Sequence, residues 1–120
     1  MGFFLPETID AFELMVDGDL GMLTFEISSS EPLSEGTNDL RVVVTRGGNP
    51  FTQSSVSATV RMASMTHGGS SPEVVELGEG EFMLNDVELS MPGQWQIMIA
   101  AENTDVVKVS DTALVTLEIP

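Results

Sequence analysis

The chain contains no cysteine. That one absence excludes disulfides, thiolate zinc sites, iron–sulfur clusters and thiol nucleophiles together. It leaves the compartment open, because a disulfide-free domain can live in cytoplasm or periplasm. Basic residues are nearly as scarce: Arg41, Arg46, Arg61 and Lys108 stand against 19 Asp plus Glu, a formal net charge of -15. Nucleic acid and anionic membrane surfaces both need a basic footprint and are disfavoured as partners, whereas metal cations and basic proteins are not. Acidity on this scale also reads simply as solubility, or as adaptation to a salty habitat. No apolar run approaches the roughly 18 residues of a membrane span, so no membrane insertion by this chain is expected. The opening Met1 to Leu14 carries Glu7, Asp10 and Glu13, where an export signal would need a basic start and an apolar run. Histidine occurs once, at His67. With a single imidazole and no thiol there is no triad to argue for, and paired carboxylates in so acidic a chain arise by chance, so the expectation is a protein that is not an enzyme.

What is present is alternation. At 120 residues the chain is one domain by length, and such a domain buries about 65% of its unfolded surface, enough for a core without staples. Leu23, Phe25 and Ile27 alternate with Thr24, Glu26 and Ser28, as do Leu40, Val42 and Val44 with their neighbours, and Val56, Ala58, Val60 and Met62 with Ser55, Ser57, Thr59 and Arg61. A period of two marks half-buried strands. Val74 to Leu77, Phe82 to Leu89, Trp95 to Ile99 and Ala113 to Ile119 continue the series. Phe82 and Leu84 fall on opposite parity from Val87 and Leu89, which predicts a bulge or bend near Asn85 and Asp86. Nothing repeats at the helical period. Seven or eight short antiparallel strands predict an all-β, immunoglobulin-like β-sandwich over residues 22–120, with a closed barrel as the alternative. Trp95 is expected in the core. Residues 1–21 form a separate N-terminal segment, in which Phe12 to Val16 before Asp17-Gly18 reads as an optional short strand or hairpin.

The chemistry concentrates in one loop. Met62-Ala63-Ser64-Met65-Thr66-His67-Gly68-Gly69 brings two of the eight methionines and the only histidine within six positions. Thioether sulfur with imidazole nitrogen suits Cu(I). Met91-Pro92-Gly93 makes a second loop. If successive strands run antiparallel, the strand ending at Met62 and the one beginning near Trp95 share an end, and in an immunoglobulin-like layout they are neighbours. Met62, Met65, His67 and Met91 are therefore the candidate metal ligands. Each has a plainer reading: Met62 continues the inward parity of Val60, Met91 can cap the core under Trp95, and a lone loop histidine is usually just solvated. A calcium site at Asp17 and Asp19, or at Asn103 with Asp105, is a weaker alternative.

The order of Gly36-Thr37-Asn38-Asp39-Leu40, the Met-Ala-Ser-Met-Thr-His-Gly loop, Gly80-Glu81-Phe82 and Met91-Pro92-Gly93-Gln94-Trp95 resembles the YtkA-like family, from Leu23 to Ile119. The resemblance implies an immunoglobulin-like sandwich of the kind seen in CopC-type copper proteins, in exported or membrane-attached bacterial proteins, hence periplasmic or extracellular, with copper handling as the expected role. The family's Met-Pro-x-Met-x-His pattern falls on Met62 to His67, with Ala63 where proline is common. Two functions follow as expectations. One is a non-enzymatic Cu(I)-binding module that exchanges its ion with another exported copper-handling protein; the other is a metal-free sandwich that presents or packs against a partner domain.

Overall fold

The computed structural model describes residues 11–64, 69–104 and 107–120. Among them are nine strands and no helix: β1 (Phe12–Asp17), β2 (Thr24–Ser29), β3 (Gly36–Arg46), β4 (Asn49–Pro50), β5 (Ser54–Met62), β6 (Glu73–Gly78), β7 (Glu81–Leu89), β8 (Gly93–Asn103) and β9 (Ser110–Ile119). The larger sheet has the order β1-β2-β3-β7-β6, with β4 paired to β3, and the smaller has the order β5-β8-β9. All pairings are antiparallel. Four strands facing three, β2-β3-β7-β6 against β5-β8-β9, is the constant-type immunoglobulin arrangement, and β1 adds a strand outside it. No ladder joins the two sheets among the described residues, so the molecule is a sandwich and not the alternative barrel.

The alternation read from the sequence is the burial pattern. Phe25, Ile27, Leu40, Val42, Val44, Leu84, Val87, Leu89, Ile97 and Ile99 are fully buried, and Trp95 joins them in the core. The parity switch in β7 is a bulge: Leu84 pairs with Leu40 and Val87 with Asn38, so Asn85 and Asp86 together oppose Asp39. Asp86 has φ of 55°, and its N–H donates to Asp39 Oδ1 at 3.0 Å, which supports this non-glycine residue in the left-handed region.

Three elements differ from the sequence reading. The count is nine strands where seven or eight are expected, partly because Gly47-Gly48 does more than end β3. With φ of 58° and 85° the two glycines form a tight hairpin turn, and Asn49–Pro50 returns to pair with Thr45 and Arg46. β3 starts at Gly36, ahead of Leu40, because Asn38 closes the preceding loop. Its Nδ2 donates to the Ser34 carbonyl at 2.9 Å while its Oδ1 accepts from the Ser34 N–H at 3.1 Å. β8 continues to Asn103, beyond the Ile99 at which the apolar alternation ends, since Ala100, Ala101 and Glu102 carry none to announce a strand.

The ends of the sandwich are set by strand direction. The β1–β2, β3–β5, β6–β7 and β8–β9 connections lie at one end, called upper here. The β2–β3, β5–β6 and β7–β8 connections, with the start of β1 and the finish of β9, lie at the lower end.

Candidate metal centre

The two methionine-bearing loops share the lower end. β5 and β8 are direct neighbours in register, with Met62 opposite Trp95. The Ala63 N–H donates to the Gln94 carbonyl at 2.9 Å, carrying the pairing one residue past β5. On the far side of the loop, Ser70 and Val60 exchange both backbone bonds, at 2.7 and 2.8 Å. The segment between Ala63 and Ser70 is therefore anchored at one end on β8 and at the other on β5.

Met62 is half-buried against the core. A Cβ built on Gly93 would lie 3.4 Å from Met62 Cε, so the thioether methyl lies over the glycine that opens β8. Gly93 has φ of 131°, a conformation that favours glycine. Met91 sits two residues earlier, and its parts have separate fates. Its carbonyl accepts the indole N–H of Trp95 at 2.9 Å, which satisfies the buried ring's only donor. Its side chain is 50% exposed. The plainer reading, in which Met91 caps the core beneath Trp95, does not hold: the residue is exposed and only its carbonyl reaches the indole. Met65 and His67 lie outside the described residues. Of the four sequence-derived ligands, the fold brings Met62, the last residue of β5, and Met91, in the β7–β8 loop, to the same end.

The residues that carried the family resemblance have structural work to do. Asn38 and Asp39 organise the β2–β3 loop and the β7 bulge. Gly80 has φ of 77° and leaves no room for a side chain, since a Cβ there would meet the Val44 carbonyl oxygen at 2.7 Å. Gly93 and Trp95 shape the β7–β8 turn. Met91 is among the exposed residues of these motifs, with Thr37, Pro92 and Gln94.

Sequence reasoning missed Asp111. Its carboxylate, 3% exposed, holds the upper end together. The N–H groups of Leu20, Met22 and Leu23 donate to it at 2.8, 2.9 and 3.0 Å, and Thr112 N–H adds a bond at 2.9 Å. Burial pushes this carboxyl up, but the bonds from Leu20, Leu23, Met22 and Thr112 outweigh burial and leave it below the ordinary carboxylate value. The signal available in the sequence was the β9 parity, which points Asp111 inward with Ala113 and Val115. Its partners, 88 to 91 positions away, gave none. The turn considered for calcium is the one Asp111 caps. Asn103 is likewise engaged, its Oδ1 accepting from Val109 N–H at 3.0 Å and its Nδ2 donating to the Val107 carbonyl at 2.9 Å; Asp105 lies outside the described residues. Among the described residues no cluster of three His, Cys, Asp or Glu is placed to hold a metal.

No curated protein and no solved structure matches the chain. A family model described as YtkA-like matches residues 19–100. The match takes in β2 to most of β8 and both methionine-bearing loops, and it stops short of β9, to which the resemblance had been extended. With more than half of its length covered by that model, the chain belongs to the YtkA-like family.

Proposed function

We propose that this protein is a non-enzymatic metal-binding module of an exported bacterial protein, holding Cu(I) through Met65, His67 and Met91, with Met62 as a fourth ligand. The observation that carries the proposal is the Met91 side chain, half exposed at the lower rim while its own carbonyl fixes Trp95. The anchoring of the neighbouring loop supports it. Met65 follows Ala63 by two residues and His67 precedes Ser70 by three, so chain length limits them to about 7 and 11 Å from those anchors. Two or three thioethers with one imidazole form a soft donor set, which favours Cu(I) over Cu(II). Methionine also serves where cysteine would be oxidised, in keeping with a periplasmic or extracellular location. An ion held at the rim is accessible to another exported copper-handling protein.

The test is a competition titration against a Cu(I) chelator under reducing conditions, for wild type, His67→Ala and the Met65→Leu/Met91→Leu pair. The methionine pair is expected to weaken Cu(I) binding by roughly tenfold or more, about 1.4 kcal/mol, with leucine preserving volume. Unchanged affinity would overturn the proposal. The half-buried packing of Met62 on Gly93 favours a second reading in that event, a sandwich that packs against a partner domain and binds no metal.

A further inference from the structure

The solvent-facing sides of the two sheets carry different chemistry. On the larger sheet the outward residues include Glu13, Asp17, Glu26, Glu81 and Glu88 around Arg41. A second copy brought to that side would set carboxylates against carboxylates. On the smaller sheet the outward side chains stack in rows across β5, β8 and β9. Thr59, Met98 and Leu114 make the middle row, and Ser57, Ala100 and Thr112 the next one toward the upper end. Neither row contains a charge, in a chain of net charge -15. Charge enters in the rows flanking these two, as exposed Arg61 below and exposed Glu102 above.

Shape follows from the same register. Met98 and Leu114 lie directly opposite each other and are 47% and 43% exposed, so they form an apolar ridge in the open. Above the ridge the side chains shorten to Ser57, Ala100 and Thr112, then Ser55 and Ser110, and these line an open hollow of about 600 Å³. Ridge and hollow, cation and anion, thus sit side by side on one surface. A surface that carries both halves of a contact is self-complementary under a two-fold axis.

We propose that a second copy of this chain docks on this face, about a two-fold axis that lies in the interface and crosses the strands between the Met98 and Ala100 rows. Each strand then faces its own counterpart. The Met98–Leu114 ridge of either copy lies over the Ala100–Thr112 row of the other, at the edge of the hollow. The Arg61 and Glu102 rows are equally distant from the axis, so the same placement brings Arg61 of each copy level with Glu102 of the other. Arg61 is on β5 and Glu102 on β8, one strand across. The Arg61 Nε–H donates to Gln96 Oε1 at 3.3 Å, which turns the guanidinium toward β8 and so toward the carboxylate it would meet. Exposed ion pairs contribute little affinity, and here they set the register while the apolar ridge supplies the attraction. A three-stranded face is at the small end of specific interfaces, so association is expected at a protein concentration on the order of 0.1 mM.

Sedimentation equilibrium of the full, metal-free chain from about 10 µM to 1 mM tests this, at about 0.15 M salt, where charge is screened beyond about 8 Å. Omitting metal keeps the outcome separate from that of the Cu(I) site. Wild type is expected to pass from monomer to dimer across the range. Met98→Glu should weaken the dimer roughly tenfold or more, since a charge is buried in the contact. Met15→Glu adds the same charge at a methionine 65% exposed on the other sheet, and should change the dimer less than about threefold. Glu102→Arg lowers the net repulsion between copies yet should weaken association several-fold, and adding Arg61→Glu to it should restore the wild-type value, because both pairs reform with reversed sign. A wild type that stays monomeric at 1 mM would overturn the proposal. So would a dimer indifferent to Met98→Glu, one weakened equally by Met15→Glu, or a double exchange that recovers nothing.

Discussion

At the upper end of the sandwich the loops are tied by two buried polar side chains, Asp111 and Asn103, each bonded to backbone several residues or a whole chain length away. At the lower end the two methionine-bearing loops are held by backbone pairs, Ala63 to Gln94 and Val60 to Ser70, with one indole bond to the Met91 carbonyl. The side-chain oxygens of Asp111 and Asn103 at the upper end are consumed by structure. Met91 at the lower end is exposed. In a chain rich in carboxylates, the one buried among the described residues gathers N–H groups.

The largest expected effect breaks the upper end. Asp111→Ala leaves buried backbone N–H groups of the β1–β2 turn without an acceptor, which should cost about 3 kcal/mol in chemical denaturation. Gly18→Ala should act on the same contact, because a Cβ there would collide with the Asp111 carboxylate. Acid should reach this end too. A carboxyl held below its ordinary value in the folded chain stabilises fully above the unfolded value near 3.9, and that stabilisation is lost as pH falls through the lowered folded value. Wild type and Asp111→Asn should therefore draw together in stability as pH falls below the ordinary carboxylate value and the folded-state carboxyl takes up its proton. Copper binding, in contrast, should weaken at much milder acidity, as the imidazole of His67 takes up a proton and ceases to be a ligand. Loss of both in a single transition would contradict the separation of the two ends.

An intermediate effect is expected from Trp95→Phe. The ring is buried opposite Met62 and its N–H is the bond that fixes the Met91 carbonyl. Losing that bond and part of the indole volume should cost about 1–2 kcal/mol, and freeing the turn should weaken Cu(I) binding in the competition titration. A stability loss with unchanged affinity would show that the turn positions Met91 without help from the indole.

The strands were legible because burial on one face of a sheet imposes a period of two, and even the β7 bulge announced itself as a change of parity between Leu84 and Val87. β4 was not legible, since a two-residue return strand has no period. Neither was the Asp111 cap, whose partners are brought together by the sandwich and by nothing local. The lower end was legible in the sequence: two methionines and the one histidine stood out because they fall within six positions. Strand direction then predicted the shared end, and the Met62–Trp95 register bears that part out. Which of these side chains packing would claim could not be read from parity, because a methionine at an inward position and one at a rim look alike in sequence.

The smallest structural effect carries the sharpest functional difference. Met91→Leu keeps the side-chain volume, leaves the carbonyl that holds Trp95 in place, and alters a group already half in solvent. Its cost in denaturation should stay within about 0.5 kcal/mol. Met62→Leu exchanges a flexible thioether for a branched chain against Gly93, so about 1 kcal/mol is expected there. If Met91 is a ligand, the order inverts for copper, with the nearly silent substitution lowering Cu(I) affinity more than the disruptive one. Affinity that instead tracks stability across the two variants would mean that both methionines serve the fold, and that the upper and lower ends differ in how they are tied and not in what they bind.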